Sequence, residues 1–528
     1  MSITSRANID YSLFIPAVII VLSSCFFLAI APEKGEAIIS TLFNWTTSNF
    51  GWLYLMIGLL CFFAMLIMAL TKIGNIKLGR AEDEPDFSKT SWIAMLFCAG
   101  IGISLCNWAF IEPIYIMDSP PLNISKGTAE AIEWGAMYPF LHWGIVPWSI
   151  YLLPAVPMAY IFYVRRIPIM RFSEACRPLL GKSVDGPVGR LVDIIVILSI
   201  VGAVGTSLGL SVPLVTELLG ESFGWGDSFG LQLGVLAVWI LMIGWSVYKG
   251  LGKGIQILSN INMGLAMLLL VFVFLVGPTL FILQLGSNSL GLFLDNFFRI
   301  NTWTSPIQHS SFPGSWTIFY WAWWVAYAPM MGIFVAKISK GRTIREFILN
   351  GVLWGSAGTC VFFAVWGGYA LNLEYTETMQ ISQILTEGGI PAAVTAIVKA
   401  LPYSTIVLPV FVALCFVFLA TTVDSSAYTL AMVTSRKLGM EEEPTRLNRM
   451  FWTLSLAVVG VGLLSVGGLK AAQTSTLVVA LPMLPVMVIM VASLFRMVKE
   501  DFPEELGGQR NHHQAANRNN IQRSIIIN

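Results

Sequence analysis

The sequence predicts an all-α integral membrane protein with twelve transmembrane helices, and three observations carry that prediction. Of 528 residues, 56% are hydrophobic and 12% charged, with a mean hydropathy of +0.74, too apolar for a soluble globule of this size. A spanning helix needs about 20 apolar residues, and runs of that kind lie at 11–32, 51–71, 91–117, 139–163, 191–212, 230–248, 258–284, 314–336, 350–372, 402–433, 451–469 and 474–495. With the N-terminus inside and sides alternating, the 31 Lys and Arg all fall in the cytoplasm except Lys34, Lys126, Arg299, Lys399 and Lys470. This is the asymmetry that the positive-inside rule requires, and one span more or fewer would scramble it.

Taken in order, the first span follows only Arg6 and lacks a clear small-residue cleavage site, so it reads as a retained helix and not a signal peptide. The third contains Gly100-Ile101-Gly102-Ile103-Ser104, a glycine-rich interruption, and then Glu112 before Pro113. The fourth holds His142, Trp143, Pro147, Trp148 and Tyr151; Trp148 and Tyr151 are three apart and share a helix face, with Trp143 offset. A basic loop, 164–190, follows with Arg165, Arg166, Arg171, Arg177, Lys182 and Arg190. Residues 285–313 include LGLFLDNFFRI, which fits either a short interfacial helix or a packed loop. The eighth span carries no charge before Lys337 and crowds Trp316, Trp321, Trp323 and Trp324 into nine residues, with Ala328-Pro329 interrupting it. The polar, Asn/Gln-rich tail after Arg496 reads as flexible. If spans three to seven and eight to twelve form two repeats, both interruptions fall in the first helix of a repeat, the expected place of a midplane site.

Aromatic faces suit a cation that has no N–H to donate, such as a quaternary ammonium group. Aromatics packing in a helical bundle is the plainer reading of either tryptophan cluster, but two clusters on separate helices favour a box. Each desolvated cation–π contact contributes on the order of 2 kcal/mol, so three or four faces would hold a trimethylammonium group. Asp424, flanked by Thr421, Thr422, Ser425 and Ser426 within an apolar span, is either part of a hard-cation site or of a polar network joining helices. Glu112 reads as a cap or brace of the third span, and His142 as a structural hydrogen-bonder before a proton carrier. The cysteines at 25, 61, 98, 106, 176, 360 and 415 form no CxxC pair, so neither a disulfide framework nor a metal centre is indicated. No nucleophile with its base and no phosphate-binding loop is present, which leaves an enzyme the weakest class. The net charge of +1 gives no reason to expect a nucleic-acid partner.

At WTIFYWAWW, AKISKGRTIREF, HWGIVPWSIY and ATTVDSSAYTLAMVTS the chain closely resembles the betaine/carnitine/choline transporter family, over roughly residues 10–500. The resemblance implies two inverted five-helix repeats, a LeuT-like core, after two peripheral helices, and a homotrimer. On this sequence the parts become a cytoplasmic N-terminus (1–10), peripheral helices (11–90), a first repeat (91–284), a connecting segment (285–313), a second repeat (314–497) and a cytoplasmic tail (498–528). Tyr115, Trp143, Trp323 and Trp324 match the aromatic box of the carnitine/γ-butyrobetaine antiporters, and Met331 a methionine near their substrate. Trp148, Tyr151 and Trp321 match further aromatics of the permeation path. Thr421 and Thr422 match the paired hydroxyls of one sodium site, whose other ligands would be carbonyls of Cys98, Ile101 and Phe418. Where the antiporters place an arginine in that site, this chain has Gln256, which makes sodium the simplest replacement. The symporters' second sodium site corresponds to Ile200, Val204 and Met330 and looks absent, so one coupled sodium per cycle is expected. Ser104 stands where the betaine symporters have glycine, leaving substrate size open.

These readings converge on an inner-membrane secondary transporter of zwitterionic quaternary ammonium compounds, sodium-coupled, with no cofactor beyond Na+ as coupling ion. The pocket also fits a sodium-independent carnitine/γ-butyrobetaine exchanger. A different class, an osmosensing or channel-like membrane protein, would leave the aromatics as packing alone.

Overall fold

The computed structural model describes residues 9–506 apart from 226–227, 250, 437, 439–441 and 467–468, and among these every regular element is helical. The helices in order are α1 (Tyr11–Ile30), α2 (Pro32–Leu70), α3 (Lys89–Gly100), α4 (Ser104–Asp118), α5 (Ala129–His142), α6 (Ile145–Leu152), α7 (Ala155–Ala159), α8 (Phe172–Leu180), α9 (Pro187–Phe223) and α10 (Phe229–Lys249). Then come α11 (Leu251–Val276), α12 (Thr279–Thr302), α13 (Phe319–Lys337), α14 (Ile344–Phe362), α15 (Gly368–Tyr375), α16 (Ile381–Lys399), α17 (Ser404–Val433), α18 (Arg446–Val466), α19 (Leu469–Ala480) and α20 (Met483–Asp501). Among the described residues ten continuous stretches are long and apolar enough to cross a membrane, and two bent pairs, α3 with α4 and α19 with α20, bring the count to twelve. That set includes Ile381–Lys399 and leaves out the first expected run.

Span positions follow the apolar runs closely, with three differences. The run expected at 258–284 stops at Val276, because Gly277-Pro278 cannot continue a helix, and the chain restarts as α12. The segment 285–313 is therefore mostly part of a 24-residue helix that begins at Thr279. Residues 381–399, outside the expected spans, form α16, whose Gly389 at φ 75° and Pro391 kink it midway. Among the expected breaks, that after Gly100 is real, with α3 and α4 meeting at 65°. That at Ala328-Pro329 is not: α13 runs straight through Pro329. A proline inside a helix forfeits one backbone bond, which membrane helices tolerate when protein surrounds them, and α13 is buried from Phe319 to Ala336. Its irregularity lies instead at its start, a π-helical turn at Gly314–Ile318.

The core is centred on α13, which packs against α6, α7, α9 and α19 and, more sparsely, α3 and α17. A helix apolar all round belongs inside the bundle. Helices α10 and α11, by contrast, expose Leu241, Trp245, Ile257, Leu268 and Leu275, a surface suited to lipid. Helices α1 and α2 lie against α18 and α19 respectively.

Candidate functional site

The break between α3 and α4 and the aromatics of α6 and α13 converge on one place. Gly100 ends α3, and a Cβ added to it would stand 2.9 Å from Met331 Cε and 3.1 Å from a Tyr151 ring carbon. Tyr151 donates its hydroxyl to the Gly100 carbonyl at 3.1 Å, satisfying an acceptor that the broken helix leaves free. A second break supports the other wall: α5 ends at His142, and Trp143 and Gly144 turn the chain into α6. Any side chain at Gly144 would meet the Phe140 carbonyl at 2.1 Å, so glycine permits the turn. Thr359 of α14 donates to the freed Trp143 carbonyl at 2.5 Å and accepts the Trp148 indole N–H at 3.4 Å.

Trp143, carried by this turn, faces Trp324 with ring centroids 5.6 Å apart and planes at 72°, and Trp323 at 6.3 Å and 79°. Trp148 and Tyr151 reach Trp324 at 6.0 and 4.1 Å. Near-perpendicular rings make the walls of a corner, the form in which several ring faces can approach one cation. Trp143, Trp323 and Trp324 are buried, at 2%, 4% and 2% exposure. Tyr115 is not directly among them: its ring meets Trp316 at 5.4 Å and Trp108 at 6.5 Å, and Trp108 in turn meets Trp323 at 6.5 Å. Trp321 points elsewhere, against Gly58 of α2 and the His142 ring.

Behind the corner lies a network that sequence reasoning touched only at Glu112 and His142. Glu112 is fully buried and accepts the Trp143 indole N–H at 2.7 Å and the Tyr320 hydroxyl at 2.6 Å on Oε2, with His142 Nδ1 at 2.7 Å from Oε1. His142 Nε2 lies 3.1 Å from the Thr317 hydroxyl on the π turn, and its ring stacks on Tyr320 at 4.5 Å. The missed members, Tyr320, Thr317, Trp108 and Thr359, gave one usable signal: Tyr320 precedes Trp324 by four residues and so shares its face.

The predicted cation ligands also gather at the break. Gly102, at φ +46°, is held so close to α17 that a Cβ there would lie 2.3 Å from Thr422 Oγ1, 3.4 Å from the Cys98 carbonyl and 3.6 Å from the Phe418 carbonyl. Thr421 and Thr422 donate to the Phe418 carbonyl at 2.8 and 3.1 Å. Hydroxyl and carbonyl oxygens are what a hard cation takes. The Ile101 carbonyl accepts the Ser104 N–H at 3.2 Å across the turn. Gln256 lies on α11 with its side chain outside the described ones. At the expected second site Ile200, Val204 and Met330 are buried, and the nearby hydroxyls Ser207 and Tyr327 bond each other at 2.7 Å.

Asp424, the buried carboxylate of α17, pairs with Arg449 of α18 at 3.1 Å and accepts the Ser246 hydroxyl of α10 at 2.5 Å. Of the two readings of Asp424, the geometry matches the helix-joining network. A cavity of about 540 Å³ between α10, α11 and α17 reaches Thr421 and Asp424. Another, of about 910 Å³, is walled mainly by apolar residues of α11, α12 and α14 and reaches Gly144 and Ile145 beside the Trp143 turn, but Trp143, Trp323 and Trp324 do not line it.

A family model described as BCCT, betaine/carnitine/choline family transporter, matches residues 12–503. The chain belongs to the betaine/carnitine/choline transporter family. It is thus a multi-pass membrane transporter of small quaternary ammonium compounds of the betaine, carnitine or choline type. Tryptophan faces at near-right angles can attract an ammonium charge, and carbonyls at a helix break can serve a cation.

Proposed function

We propose that this family member is a sodium-coupled symporter of zwitterionic quaternary ammonium compounds, of the carnitine, γ-butyrobetaine or glycine betaine type, working by alternating access. The observation that carries the reading is the shared position of the two sites. Gly100 touches Met331 and Tyr151 beside the tryptophan corner, and two residues on, Gly102 touches Thr422. An ion held by Thr421, Thr422 and the carbonyls of Cys98, Ile101 and Phe418 would fix the same turn that the substrate leans on. Each ligand then favours the conformation the other prefers, the condition for coupling. The buried indole N–H groups of Trp108 and Trp323, like those of Trp321 and Trp366, have no acceptor among the described residues, and at the first two a substrate carboxylate would supply one. That favours zwitterions over choline.

The basic loops and the resemblance support an inner-membrane protein with both termini cytoplasmic, and the family supports a trimer. Sodium-independent exchange of carnitine for γ-butyrobetaine is the second reading, favoured by the match of Tyr115 and Met331 to the antiporters' residues and opposed by the lack of an arginine at Gln256.

Equilibrium binding to the purified protein tests the box. Carnitine, γ-butyrobetaine and glycine betaine should compete for one site and bind more tightly with sodium present. Trp324→Ala should weaken all three by about 30-fold, the loss of one desolvated cation–π contact of roughly 2 kcal/mol. Undiminished binding by that variant would reject the box.

A further inference from the structure

We infer that Glu112 is the counter-charge of the aromatic box: through the Trp143 indole and the Tyr320 phenol it tunes the ring faces to prefer an ammonium head over an uncharged head of the same shape. The inference rests on the proposed box and adds to it a residue that touches no substrate.

In this role Glu112 is a carboxylate that accepts on both oxygens, an arrangement its neighbours permit. Three groups converge on the two oxygens of Glu112: the indole N–H and phenol on Oε2, and His142 Nδ1 on Oε1. Two of these, the indole and the phenol, are neutral. His142 is the one basic group paired with Glu112 among the described residues. The neutral imidazole suffices there, with Nδ1–H donating to Glu112 and Nε2 accepting from Thr317. A carboxylate at 0% exposure with such neighbours keeps much of its field, because little water screens it.

That field reaches the box by a covalently short route. Trp143 donates to Glu112 at one edge and presents its ring to Trp324 and Trp323 at 5.6 and 6.3 Å. Tyr320 lies 5.5 Å from Trp143 and 6.2 Å from Trp323. Donation of an N–H or O–H to an anion polarises the ring that carries it and makes its face more negative, and the face is what a cation senses. A bracing residue alone needs acceptors but no charge. Glutamine could also brace, its carbonyl receiving Trp143 and Tyr320 and its NH2 donating to the other His142 tautomer.

The test compares γ-butyrobetaine with its carbon isostere, in which a tert-butyl group replaces the trimethylammonium, by equilibrium binding to the full-length protein in nanodiscs. The parent should prefer the ammonium compound, Glu112→Gln should cut that preference on the order of tenfold, part of one desolvated cation–π contact, and Glu112→Asp should retain most of it. An unchanged preference in Glu112→Gln, or equal weakening of both ligands, would overturn the inference and leave Glu112 a brace. A parent that does not discriminate would instead sink the box itself. Should Glu112→Gln fail to fold, Tyr320→Phe decides: it removes one of the two routes and leaves the Trp143 bond, so a fall in preference supports the inference, and an unchanged preference or equal weakening of both ligands rejects it.

Discussion

Thr421 and Thr422 illustrate what a single residue can decide in this fold. Both hydroxyls donate to the Phe418 carbonyl, and Thr422 also presses on the α carbon side of Gly102, the one residue of the break with positive φ. Removing the hydroxyls leaves carbonyls that cannot replace a hydration shell unaided. Thr421→Ala and Thr422→Ala should therefore each raise the sodium concentration that half-saturates uptake by about tenfold, the loss of roughly one charge-assisted contact, while sodium-free binding of substrate changes little. A sodium response as steep in both variants as in the parent would remove these residues from the coupling site. At this scale the sequence was informative about neighbours in part: Trp143 meets Trp323 and Trp324, and Met331 lies against Gly100 at the break. It was uninformative about partners. Glu112 and Tyr320 are 208 residues apart, and no local pattern announces their bond.

Helix ends and pairs respond to longer-range constraints. Arg449 sits in the bundle at 1% exposure, paired closely with Asp424 at 3.1 Å and more loosely with Glu443 at 3.8 Å, and the first pair joins α17 to α18. Breaking a buried pair on one side leaves an uncompensated charge, which costs about 3–5 kcal/mol, whereas replacing both partners is often close to neutral. Arg449→Met should accordingly lower thermal stability in detergent sharply, and Asp424→Leu combined with Arg449→Met should recover most of the loss. Additive losses in the double variant would mean that the two residues act separately. Apolar runs located the spans well because hydrocarbon thickness sets their length. They failed where helices end for other reasons: Pro278 cut one run short and started α12, and Gly389 and Pro391 bend α16. Pro329 misled in the opposite sense, since burial on all sides lets α13 pass through it.

Across the whole molecule the basic residues, which indicated sidedness in the sequence, prove also to be mechanical. Arg165 holds Asp501 and Glu500 of α20, Arg171 holds Asp10 before α1, and Arg177 holds Glu174 and Asp185. Lys77 and Thr343 form a short backbone bridge that joins the chain after α2 to the start of α14. One end of the bundle is thus tied by ion pairs, while the tryptophan corner and the break lie within the apolar core. In the proposed alternating-access cycle α3, α4 and α13 would shift against their neighbours, and the proposed substrate and ion sites would both press on the junction where they do so. The most direct measurement is uptake of labelled carnitine into proteoliposomes, with and without an inward sodium gradient and with nothing preloaded. The account predicts accumulation that needs sodium and no internal substrate. Uptake indifferent to sodium and seen only after preloading with a betaine would contradict it, and would leave Thr421 and Thr422 as packing between α17 and the broken helix.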